Sequence, residues 1–175
     1  MSWRDKLGLV HIYTGNGKGK TTAALGLAIR MLGRGGKVAI IQFMKAPKAY
    51  GEQVKIEECG AFIESIGLPK FVHGKPNEKD IEATKKALRR AKELASGGEW
   101  DLVILDEVCV ALGFNMLTIE EVKDLIKSKA PHTELVLTGR YCPEEIFELG
   151  DYVTEMKEIK HPYQRGIIAR KGVEY

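Results

Sequence analysis

Residues 14 to 22 read Thr14-Gly15-Asn16-Gly17-Lys18-Gly19-Lys20-Thr21-Thr22. Their types and spacing suit the binding of an anion. Glycines let consecutive backbone N–H groups curl around a charge. A helix starting near Lys20 would aim the positive end of its dipole at the same point. Lys20 can then reach the outer phosphates of ATP, and the Thr21 hydroxyl can bind Mg²⁺. Gly15, Asn16, Gly17, Lys18, Gly19 and Thr22 complete the candidate nucleotide-binding loop. The usual pattern is G-x-x-x-x-G-K-[ST]. Here Thr14 stands first and a glycine follows it. A glycine-rich turn without a ligand is the competing explanation. The apolar strand before the loop and the amphipathic helix after it favour phosphate.

A second group of chemical residues lies far along the chain. Asp106-Glu107 ends a short apolar run, where a Walker B carboxylate belongs. Either carboxylate can hold Mg²⁺ directly or through water. Helix capping is the plainer use of the pair, and the phosphate loop tips the reading towards metal. Arg140 follows the end of another predicted strand, at the edge where open α/β sheets bind ligands. It either touches phosphate as a cis arginine or forms a surface ion pair, and the sequence does not choose. His11, His73, His132 and His161 show no metal-site spacing.

These residues need a scaffold that brings strand ends together. The chain alternates short apolar runs with helical patterns, which predicts an α/β fold with a mostly parallel sheet and helices on both faces. Strands are expected over 9–13, 37–43, 61–66, 102–105, 135–137 and 152–156. The run Val38-Ala39-Ile40-Ile41 is apolar without alternation, so it is buried on both faces. The helix after the loop carries apolar residues at Leu25, Ala28, Ile29 and Leu32. Asn77 should cap a long helix, and Thr118 with Glu121 should form a capping box. Residues 67–76 hold two prolines and two glycines and form a candidate site loop.

With 175 residues, the chain fits one domain over 1–175. The net charge of +3 suits a phosphate ligand without demanding nucleic acid, and no aromatics interleave with the basic residues of the long helix. The three cysteines are dispersed and suggest a reducing compartment. The apolar stretch after the N-terminus is too short for a signal peptide or membrane span. A cytoplasmic location without membrane association is expected.

Residues 15–24 resemble the phosphate loop of the P-loop corrinoid (cob(I)alamin) adenosyltransferases, including the non-glycine first position. The resemblance continues through Val38 to Lys45, Val103 to Glu107, Leu137 to Arg140, Thr154 to Met156 and the tail residues Lys160, His161, Pro162, Gly166, Ala169 and Gly172. It implies a RecA-like P-loop fold, a homodimer and a reductant protein such as a flavodoxin-like donor. It also implies transfer of the 5′-deoxyadenosyl group of ATP to cobalt(I) of a reduced corrinoid, with triphosphate leaving. ATP would lie reversed, its γ-phosphate deepest in the loop. Lys20 and Arg140 would act on the phosphates. Thr21 and Glu107 would hold Mg²⁺, with Asp106 beside them, and Asn16 would approach the nucleotide. Phe71 would approach the corrinoid and displace its lower axial ligand.

Two departures stand out. About eight residues precede the first predicted strand, where well-known family members carry a longer arm that can fold over the corrinoid, so site closure is expected to differ or to be supplied by a partner subunit. The family's Phe-x-Trp is here Phe71-Val72-His73, which puts the Trp role in doubt and offers His73 to cobalt. Two rival functions share these residues. One is a P-loop ATPase or phosphotransferase with Glu107 as water-orienting base. The other is a non-catalytic ATP-binding or corrinoid-delivery module.

Overall fold

The structure is a computed structural model that describes residues 2–69 and 74–175. Six strands form one sheet: β1 (Val10–Thr14), β2 (Val38–Phe43), β3 (Phe62–Ile66), β4 (Leu102–Asp106), β5 (Glu134–Thr138) and β6 (Tyr152–Glu155). Their order is β3-β2-β4-β5-β1-β6, and every pairing is parallel. The α/β architecture is the expected one.

Sheet parity sorts the core into two layers, because alternate side chains leave a strand on opposite faces. Ala39, Ile41, Phe43, Val103, Leu105, Leu135 and Leu137 face one layer. It is covered by α3 (Glu78–Ser96), α4 (Val108–Gly113), α5 (Ile119–Ser128) and α6 (Glu144–Phe147). Val38, Ile40, Leu102, Ile104 and Val136 face the other, under α1 (Lys20–Leu32) and α2 (Gly51–Glu58). β2, β4 and β5 are thus buried on both faces, as the unbroken apolar run in β2 predicts, while β1 is buried fully on one face only.

The caps follow the sequence. Asn77 accepts from the N–H groups of Lys79 and Asp80, and the Thr118 hydroxyl accepts from Glu121 N–H. One feature departs from expectation, and one element, α4, has no signal in the sequence. The inward face of α1 is Ala24, Ala28 and Met31, whereas Ile29 is 49% exposed. Small residues at 24 and 28 let the helix lie close on the sheet, which turns the larger Ile29 outward. α4 carries no readable period, because Val108, Cys109, Ala111 and Leu112 are all buried. Among the described residues, no helix is long and apolar enough to cross a membrane.

Candidate functional site

The sheet order decides which strand ends meet. The glycine loop leaves β1 and Asp106 ends β4, but these strands are not neighbours; β5 lies between them. Thr138, at the end of β5, bridges the gap. Its hydroxyl donates to Asp106 Oδ1 at 2.8 Å and accepts from Glu107 N–H at 3.0 Å.

The loop is built by close approach. Gly15 (φ +95°) and Gly19 (φ +120°) occupy backbone conformations that other residues rarely adopt. At Gly15 and Gly17 a Cβ would come within 2.6 Å of the Met156 carbonyl oxygen, and Gly17 N–H donates to that oxygen at 2.6 Å. The loop is therefore braced by the segment leaving β6. Lys20 is buried and opens α1. Its ammonium donates to the Gly15 and Gly17 carbonyls, both at 2.7 Å. Burial lowers its pKa, and nearby Glu107 partly offsets this.

Asp106 is fully enclosed. Oδ1 accepts from the hydroxyls of Thr21 and Thr138, each at 2.8 Å. Oδ2 accepts from Gln42 Nε2 at 3.0 Å and Lys45 Nζ at 2.8 Å. These four donors match the carboxylate's roughly four lone-pair positions. Burial opposes ionisation, yet Lys45 and the hydroxyl donors outweigh it and hold the carboxyl below its ordinary range. Glu107 is its opposite. Its left-handed backbone (φ +67°) swings the chain straight from β4 into α4 and places the side chain on the cavity wall. Burial and the adjacent Asp106 charge push its pKa up to about 7, against the pull of Lys45, Lys20 and Arg140. Its carboxylate has no hydrogen-bond partner among the described residues.

A cavity of about 860 Å³ opens over these groups, within the roughly 300–1,000 Å³ usual for small-molecule sites. Its floor is residues 17–22 with Glu107 and Arg140. Arg140 is delivered by Gly139 (φ +136°), where a Cβ would meet Val110 N at 2.8 Å. The other walls are Phe43, Lys45, Tyr50 and Glu52, then Phe114 and Tyr141, then His161 with residues 172–175.

The structure thus brings Gly17, Lys18, Gly19, Lys20, Thr21, Thr22, Glu107 and Arg140 together. Gly15 and Asn16 do not line the cavity, and Asp106 sits behind its wall. Phe71, with Val72 and His73, lies outside the described residues. Sequence reasoning missed Lys45, Tyr50, Glu52 and the tail wall. Lys45 follows a strand's carboxyl end, which is the signal that singled out Arg140.

Lys18 serves the tail wall. Its ammonium donates to the Val173 carbonyl at 3.1 Å and pairs with Glu174 Oε1 at 2.8 Å. Such an exposed pair contributes about 0–1 kcal/mol. Lys18→Ala is therefore expected to raise KM for ATP by no more than about fivefold and to spare kcat. A hundredfold fall in kcat would place Lys18 on the phosphates instead.

A parallel sheet with a glycine loop after β1, a lysine and threonine opening α1, and an acidic pair ending β4 defines a P-loop nucleotide-binding protein. The comparisons carry this further. A model of the family "ATP:corrinoid adenosyltransferase BtuR/CobO/CobP" matches residues 6–175. A corrinoid adenosyltransferase of Escherichia coli K12 is 33% identical over 172 residues, 98% of this chain and 88% of that protein. One from a Sinorhizobium species is 37% identical over 177 residues, 98% of this chain and 82% of that protein. The corrinoid adenosyltransferase CobA of Salmonella typhimurium LT2 is 31% identical over 172 residues, 98% and 88% respectively. The chain belongs to the ATP:corrinoid adenosyltransferase family.

Proposed function

We propose that this protein transfers the 5′-deoxyadenosyl group of ATP to the cobalt(I) of a reduced corrinoid. The carrying observation is one cavity with a phosphate-binding floor and aromatic upper walls from Tyr50, Phe114 and Tyr141. The cobalt(I) electron pair forms the bond to C5′, the C5′–O bond breaks, and triphosphate leaves with that bond's electrons. The substrate brings its own nucleophile, so the protein's task is to bind, orient and stabilise the leaving charge. Lys20, Arg140 and the loop N–H groups act there, as preorganised donors do best where charge develops. ATP would lie with its γ-phosphate deepest, presenting C5′ to the upper cavity.

Mg²⁺ fits the residues present. Thr21 gives its proton to Asp106 and keeps its oxygen lone pairs free, and Glu107 offers an unpartnered carboxylate on the cavity wall. Thr21 and Glu107 would hold the ion against the phosphates, where it would neutralise charge on the leaving group. Asp106, with its lone pairs taken, orients Thr21 rather than binding metal. All six strands lie in one sheet, which supports a single domain over 1–175. The family resemblance supports a homodimer in the cytoplasm, supplied with electrons by a flavodoxin-like protein.

Glu107 also favours a second reading. A carboxyl with its pKa near 7 suits a general base, which would direct water at the γ-phosphate. The products separate the two. The protein, mixed with ATP, Mg²⁺ and chemically reduced cobalamin, is expected to give the light-sensitive alkylcobalamin spectrum with one triphosphate per corrinoid. ADP and phosphate without alkylcobalamin would overturn transfer in favour of hydrolysis.

A further inference from the structure

Lys45 sits just past β2, where the chain takes an unusual path. Met44 is left-handed (φ +60°), and its N–H donates to the Ile66 carbonyl at 3.2 Å. Gly67 packs so closely that a Cβ there would lie 2.3 Å from Met44 C and 2.5 Å from Lys45 N. A left-handed non-glycine residue persists only where its surroundings over-determine it. Here they turn the lysine into the cavity wall.

The ammonium then meets two parts of the site. It lies 2.8 Å from Asp106 Oδ2, whose other oxygen takes the Thr21 hydroxyl. It also lies 3.5 Å from Glu52 Oε1 and 4.7 Å from the centre of the Tyr50 ring, at the start of α2. A second chain of bonds runs in parallel. Gln42 Nε2 donates to Asp106, Gln53 Nε2 donates to Gln42 Oε1 at 2.8 Å and to the Ala46 carbonyl at 3.1 Å, and Tyr50 N–H donates to Gln53 Oε1 at 3.2 Å.

We infer that Lys45 is a positioning residue for the reaction. It fixes the Asp106–Thr21 pair, whose Thr21 hydroxyl would hold Mg²⁺, relative to the Tyr50–Glu52 wall of the cavity. The rate arm of its test rests on the adenosyltransferase reading; the binding arm needs only ATP and Mg²⁺. Substituting groups that orient a metal ligand typically costs about 10–100-fold in metal affinity or activity.

The test compares wild type with Lys45→Gln and Lys45→Arg. Thermal stabilisation by ATP is followed against Mg²⁺ concentration, and alkylcobalamin formation is followed in parallel. In Lys45→Gln the Mg²⁺ needed for half-maximal stabilisation is expected to rise about tenfold, and the transfer rate to fall at least as far. Lys45→Arg, which keeps the charge beside Asp106, should recover part of both. A purely structural lysine would lower the melting temperature without moving the Mg²⁺ midpoint, and an unmoved midpoint in Lys45→Gln overturns the inference. If Lys45→Gln does not fold, Lys45→Arg carries the test. Its bulkier fork should still shift the midpoint about threefold, and a wild-type midpoint would overturn the inference. A wild type that makes no alkylcobalamin, beside a Lys45 variant with a shifted midpoint, would sink the reaction reading and leave Lys45 standing.

Discussion

Lys20→Ala is expected to lower the rate of adenosyl transfer by about 10²–10³, corresponding to about 3–4 kcal/mol of transition-state stabilisation. As the C5′–O bond breaks, negative charge grows on the triphosphate, and Lys20 is the buried cation at the floor of its site. Its two bonds to the neutral Gly15 and Gly17 carbonyls can be exchanged for bonds to anionic phosphate oxygens, where both partners carry charge. The interaction strengthens as the bond breaks, so kcat should fall further than KM for ATP rises. Lys20→Arg should not rescue the rate, because a planar fork cannot replace a compact ammonium between two carbonyls of one tight loop. Losing those bonds costs about 1–2 kcal/mol of stability, so the variant should remain folded by circular dichroism. Single-turnover formation of alkylcobalamin is the measurement. A rate within fivefold of wild type would remove Lys20 from the chemistry.

The parts of the site legible in the sequence are local ones. The phosphate loop declares itself because glycine spacing, lysine and threonine all act within a few residues of one strand end. Asp106 and Glu107 are found because β4 is an unbroken apolar run that stops at them. Their division of labour is not legible. It depends on β2 and β5 flanking β4, which delivers Gln42, Lys45 and Thr138 to one carboxylate and leaves its neighbour free. Lys45 was hidden for the same reason: its partner is 61 residues away and reached only through parallel pairing. Arg140 was ambiguous because a strand end does not reveal whether an acceptor waits beside it. It lines the cavity without an ion pair among the described residues, which supports phosphate. Lys18 stands in the loop and lines the cavity, and the partners of its ammonium come from a tail far along the chain that spacing does not reveal. Periodicity points large residues such as Ile29 inward on α1, while proximity to the sheet favours alanine at 24 and 28.

Asp106→Asn should destabilise the protein by about 3 kcal/mol, because the largely buried Lys45 ammonium loses the nearer of its two carboxylates and keeps only Glu52 at 3.5 Å. The amide cannot accept from Gln42, Lys45, Thr21 and Thr138 together, so at least one donor loses its partner. For a chain of this length the melting temperature should fall by roughly 10 °C. The pH dependence has a definite sign. The folded state holds Asp106 below its unfolded pKa of about 4, so the stabilisation is complete above that value and is lost as pH falls through the folded pKa. Wild type should therefore lose stability on acidification more steeply than Asp106→Asn. Adding Lys45→Met to Asp106→Asn removes the cation that has lost its nearer carboxylate and leaves an apolar side chain of similar size. The double variant is expected to recover most of the lost stability, because replacing a buried pair as a unit is often close to neutral. It should nevertheless remain without transfer activity, since Thr21 has lost the carboxylate that orients its hydroxyl. Urea denaturation of wild type, Asp106→Asn, Lys45→Met and the double variant at neutral pH measures the coupling. Strictly additive losses would show that Lys45 and Asp106 do not act as a pair, and a double variant with wild-type transfer would show that Thr21 needs no orientation.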